Sequence, residues 1–157
     1  MRPGPAPAVL LALAVGLAGF AQPARADDGL KKLIPLVEIY DVRKPARPGF
    51  DVAGIRCAAL FTAQKHWKDT HPRTAGRGPS PKQLKIVATH LTRSEIFRRE
   101  QGKGMVESYE TVLADVQRVI QLYLARFETR AEGGAHPWQG DGLIRGDSAY
   151  CKALGED

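Results

Sequence analysis

VESYETVLADVQRVIQLYLARF, residues 106–127, is the stretch whose spacing decides the fold. Val106, Tyr109, Leu113, Val116, Ile120, Tyr123 and Phe127 recur at intervals of three and four, the period of one face of an α-helix. A pattern kept over more than about five turns predicts a long amphipathic helix with one side in a core. Gly133-Gly134 stops it, and Gly102-Lys103-Gly104 separates it from the segment before.

Working back toward the N-terminus, Leu84, Val87, Leu91 and Phe97 lie on a second helix. Its start carries several agreeing signals: Ser80 as N-cap, Pro81 at the first helical position and Gln83 three after the cap. Residues 70–79, rich in Gly, Pro, Arg and Thr, read as a loop. Before it, Val52, Ile55, Ala59, Ala63 and Trp67 describe a helix capped by Asp51 and running to Lys68, with Leu60 and Phe61 widening its apolar face. Apolar side chains on more than one side predict a central position for this helix. A first helix is expected from Ile34 to Lys44, ended by Pro45 and Pro48, with a short strand at Val37–Val42 as the alternative. Beyond Pro137 and Trp138, Asp147 is expected to cap a short final helix carrying Tyr150, Cys151 and Leu154. The expected fold is therefore all-α: a small single-domain bundle of four to five helices.

The first 26 residues stand apart. Arg2 in a short n-region, an apolar run of 12 residues from Val9 to Phe20, and Ala24-Arg25-Ala26 form a secretory leader with a cleavage site after Ala26. The apolar run is shorter than the roughly 20 residues a membrane span requires, so no transmembrane anchor is expected. The expected product, residues 27–157, is one exported domain, periplasmic or secreted. Cys57 and Cys151 are the only cysteines, and an even count in an exported chain predicts a disulfide between them. A crosslink closing a loop of about a hundred residues is worth up to about 4.7 kcal/mol on the chain-entropy account. The chain contains no asparagine, which excludes N-linked glycosylation.

Charge is unevenly spread. Residues 31–103 hold 16 basic and 6 acidic side chains, whereas residues 104–157 hold 5 and 9. For an exported protein this points away from nucleic acid and toward an anionic envelope surface, or simply toward a solvated face.

Catalytic signatures do not emerge: the sequence has no G-x-S-x-G elbow, no phosphate-cradling glycine loop and no H-E-x-x-H pair. His66 and His71 diverge by roughly 140° on an ideal helix. His90, beside Val87 and Leu91, reads as a core or boundary histidine with a satisfied ring nitrogen, and His136 lies in a loop before Pro137. No cofactor and no metal site are expected; C-x-x-C-H and E-x-x-H are both missing. Glu95, Glu100, Glu107 and Glu110 are expected to form surface ion pairs with Arg93, Arg98, Arg99 and Lys103. Tyr123 is expected in the core and Arg126 in solvent. Arg145-Gly146-Asp147 spells an adhesion tripeptide, but three residues carry little information and Asp147 is read as a cap.

In general plan, without a shared motif, the chain resembles small two-cysteine helical proteins of the periplasm such as acid-stress chaperones and immunity proteins against envelope toxins. The function expected is a non-enzymatic binding or interaction module for a protein partner or envelope component. Two alternatives stand beside it: an enzyme with a site assembled around His90 or His136, and peripheral attachment to an anionic membrane surface through residues 31–103.

Overall fold

The computed structural model describes residues 26–40 and 50–155. The expected leader lies outside them except for Ala26, which opens a 3-10 helix, Ala26–Leu30. Five α-helices come after it: α1 (Leu36–Ile39), α2 (Phe50–Thr70), α3 (Pro81–Glu100), α4 (Met105–Glu132) and α5 (Gly142–Leu154). The described residues contain no strand, and the all-helical bundle stapled by Cys57–Cys151 is what the sequence leads one to expect. None of the described helices is long and apolar enough to cross a membrane.

α2 is the axis of the molecule, in contact with α3, α4, α5 and the 3-10 helix. From Val52 to Phe61 every side chain is buried, so its surroundings are protein on all sides rather than on one stripe. Small residues make this possible. A Cβ at Gly54 would come within 2.4 Å of Ser94 Oγ and 3.1 Å of the His90 carbonyl oxygen, so glycine lets α2 and α3 cross closely.

The Ser80 boundary forms as its sequence indicates. Ser80 Oγ accepts from the Gln83 N–H (3.2 Å), and Gln83 Oε1 accepts from the Ser80 N–H (2.8 Å). α4 is also present, Gly133 caps it, and Val116, Tyr123 and Phe127 of the expected stripe are buried, with Leu113 and Ile120 half-buried. Val112, Val116, Val119, Tyr123 and Phe127 form the core side, while Val106 and Tyr109 are 64% and 54% exposed. The expected and observed sets share Val116, Tyr123 and Phe127 and part toward the N-terminal end of the helix. The first turns of α4 project beyond the core, where Val106 and Tyr109 join Ile96 and Met105 as exposed apolar residues.

Three boundaries move. α1 is a single turn after Pro35, ending at extended Tyr40, and the rest of the segment expected as helix or strand lies outside the described residues. α2 begins at Phe50, which places Asp51 inside its first turn rather than at the cap. Its carboxylate accepts instead from Arg98 Nε at 3.0 Å. α5 begins at Gly142, capped by Asp141 through the Ile144 N–H (3.0 Å), so Asp147 is not a cap but lies in mid-helix. Asp141 prevails because burial, which opposes its charge, is overcome by the Arg126 fork and the Ile144 N–H, holding its carboxyl below the usual range.

Candidate functional site

Two polar features dominate the interior and its margin. The first is a buried ion pair between Arg56 on α2 and Asp147 on α5, both fully excluded from solvent. Arg56 Nε donates to the Tyr123 hydroxyl (3.0 Å), and its Nη1 donates to the carbonyls of Gly29 (3.1 Å) and Ile34 (3.0 Å). Asp147 accepts from the Leu36 N–H (2.8 Å) and the Tyr123 hydroxyl (2.6 Å). Burial pushes the Tyr123 phenol well above its usual pKa, so it stays neutral and donates to the carboxylate. Arg56 directly precedes Cys57, and Asp147 lies one turn before Cys151, so the ion pair and the disulfide join the same two helices side by side. With no solvent access, this constellation organises the fold and has no room for a substrate.

The second feature is open. The end of α2, the last turns of α4 and the loop after it enclose a groove of about 570 Å³, with Trp67 and His71 on one side, Glu128 and Glu132 on another, and His136 and Pro137 closing it. Its shape comes from local sequence. α2 ends at Thr70, whose hydroxyl donates to the His66 carbonyl (2.9 Å), and His71 precedes a proline. The His71 ring then lies flat on Trp67, with centroids 4.1 Å apart. Phe127 meets Trp67 edge-on at 6.0 Å and Trp138 at 5.3 Å, so the stacked pair rests on an aromatic foundation. Arg130 holds the far wall by donating to the carbonyls of His136 (3.1 Å) and Gln139 (2.9 Å).

Trp67 is only 7% exposed, and its indole N–H has no acceptor among the described residues. A buried donor without an acceptor costs about 1–3 kcal/mol. Glu128 and Glu132, one helical turn apart, are exposed and have no ion-pair partner among the described residues. The groove lining contains no lysine or arginine, in a chain that is basic overall.

The histidines singled out by sequence fall in different places. His136 does share this groove with His71 and two glutamates, but its Nδ1 accepts from the Trp138 and Gln139 N–H groups (3.3 and 3.1 Å). Its proton is thereby placed on Nε2, which is buried near the backbone of residues 75 and 76 without a well-formed hydrogen bond. A ring fixed in this way positions a loop and is poorly placed to exchange protons with a substrate. Burial, then the Arg130 charge, lowers its pKa, and the Ala75 backbone opposes them.

His90 is in the core, as one reading of the sequence has it, but neither ring nitrogen has a partner among the described residues. Burial, and after it the Arg93 charge, lowers its pKa to about 4. The unfolded chain protonates this ring near pH 6.5, so between the two values the unfolded state binds more protons. Stability contributed above pH 6.5 is lost as the pH falls toward 4, by up to about 3 kcal/mol. His90→Leu is therefore expected to flatten the decline of melting temperature over that interval. Parallel declines in the variant and the parent would refute this assignment.

Of the expected surface pairs, Lys103–Glu107 forms at 2.8 Å. Arg98 instead turns inward to bridge Asp51 and Asp115, and Arg126, its side chain still 40% exposed, also grips Asp141. Arg56 and Arg98 are thus internal and do not add to a basic surface of residues 31–103. No group of three or more His, Cys, Asp or Glu among the described residues is placed to hold a metal ion. No family model, curated protein or solved structure matches this chain.

Proposed function

We propose that the protein is an exported binding module without chemistry of its own, which holds a protein partner or an envelope component in the groove between Trp67 and His136. The observation that carries this reading is the groove itself: a concave surface with a fixed aromatic side and two exposed carboxylates that have no cation partner among the described residues. Such a combination of apolar wall and a few convergent polar groups is what ligand sites share. The leader and the disulfide support export.

Photocrosslinking tests the proposal. The protein is expressed with its leader in a bacterial host, with a photoreactive residue at Thr74 on the groove rim or at Lys85 outside the groove. The exported product is expected to begin at Asp27 by intact mass. Thr74 is expected to give a reproducible adduct that Lys85 does not and that excess unmodified protein suppresses. Equal adducts from both positions, or none, would refute a binding role for the groove.

A further inference from the structure

We infer that the exposed apolar tip of the α3–α4 hairpin is a contact between two copies of this chain, which pair about a twofold axis with the first turns of α4 antiparallel. This surface lies at the opposite end of α4 from the groove and is independent of it.

Four of the five large apolar side chains exposed among the described residues gather here: Ile96, Met105, Val106 and Tyr109, each 46–64% exposed. Ile96 and Met105 line one cleft of about 530 Å³ together with Arg99 and Lys103. Clustering of this kind marks an interaction surface, whereas single scattered residues do not. The spacing along α4 fixes the shape of the partner. Met105, Tyr109, Val112, Val116, Val119 and Tyr123 succeed one another at intervals of four, three, four, three and four, the seam by which one helix packs along another. From Val112 onward the bundle covers that seam, and Met105 and Tyr109 continue it uncovered. The uncovered part calls for a helix, and Gly102 and Gly104 leave the space beside it open.

Charge narrows the partner to a second copy. Residues 93–110 carry four basic and four acidic side chains, so the tip has no excess of cations to hold it on an anionic membrane. Arg99 and Glu110 flank the apolar patch, both exposed and without an ion-pair partner among the described residues. When α4 lies antiparallel to α4 of a second copy, with Met105 opposite Tyr109, Glu110 comes level with Gly104 of the other copy, beside the end of α3 that carries Arg99. Twofold symmetry makes each of these contacts twice, which is the self-complementarity that a dimer of this type requires. Four half-exposed side chains contribute a few hundred Å² of apolar surface per copy, so the doubled contact with its charged rim falls at the low end of specific interfaces, about 1,200 Å². The dimer is therefore expected to be weak, with a dissociation constant in the micromolar range.

Sedimentation velocity of the disulfide-bonded protein, from micromolar to submillimolar concentration, tests the pairing. The parent is expected to pass from monomer to dimer. Tyr109→Arg, at an exposed position, is expected to stay monomeric throughout with an unchanged melting temperature. Arg99→Glu and Glu110→Arg, made separately, each juxtapose like charges and are expected to weaken the dimer at least about tenfold. Mixed in equal amounts, these two variants restore both opposite-charge contacts and are expected to form a heterodimer as stable as the parent dimer. A parent that stays monomeric would overturn the proposal, and its binding to phosphatidylglycerol vesicles would then assign the tip to a membrane. A dimer indifferent to Tyr109→Arg would place the contact elsewhere and overturn it as well. A mixture no more dimeric than its separate components would overturn the antiparallel register.

Discussion

Replacing Asp147 by alanine is expected to destabilise the protein by about 3–5 kcal/mol, because it leaves the Arg56 charge buried without a counter-ion. That is a large share of the roughly 5–15 kcal/mol by which domains of this size are stable. The ion pair as such is not the reason. Taking two charges out of water offsets most of their attraction, and an apolar pair of similar volume often serves as well. Here the pair also supplies partners to its surroundings. Arg56 serves the carbonyls of Gly29 and Ile34, and Asp147 serves the Leu36 N–H and the Tyr123 hydroxyl. Arg56→Met combined with Asp147→Leu is therefore expected to recover only part of the loss, since those backbone groups stay buried and unpaired. Chemical denaturation of the two variants measures both quantities. A cost below about 1 kcal/mol for Asp147→Ala, the range of an exposed pair, would show that the network does not bear on stability.

Removing the disulfide by Cys57→Ala with Cys151→Ala is expected to cost about 2–5 kcal/mol. Both cysteines are fully buried, so the disulfide of the native protein should resist reductants until the fold opens. The two predictions are coupled. Cys57 adjoins Arg56, and Cys151 lies one turn from Asp147, so both variants loosen the same junction of α2 and α5. The combined variant is expected to lose measurably less than the sum of the separate losses, as contacting sites do in double-mutant cycles. Strict additivity would mean that the staple and the ion pair act independently.

Helix order and the disulfide are legible in the sequence because they rest on local or simple rules. The Ser80 capping box, the glycine stops of α4 and the cysteine count each carry their meaning within a few residues. Phase and partnership are not local in this way. Sequence periodicity picks out α4 and its core residues Val116, Tyr123 and Phe127, but it is packing against α2 that makes Val112 and Val119, rather than Val106 and Tyr109, complete the core side. Asp147 reads as a cap because an aspartate ahead of an apolar helical pattern suits that role, yet Asp141-Gly142 offers an equally good start six residues earlier. A signal for its true role is nonetheless present. Ile144, Asp147, Tyr150, Cys151 and Leu154 share one helical face, and an acid on an apolar face calls for a buried base. Arg56, set among Val52, Ile55 and Ala59 on a helix apolar on all sides, is the matching cation. The groove leaves no comparable trace, since Trp67 and Glu128 meet only through the α2–α4 packing.

The placement of Arg56 and Asp147 has a consequence for chains that are made incompletely. A product ending before residue 147 would carry a buried arginine with no acid and a cysteine with no mate, although most of its apolar residues would be present. Such a chain cannot settle into a near-native form, and stays open to proteolysis. The α5 helix thus acts as a seal: the interior closes only once Asp147 and Cys151 have arrived.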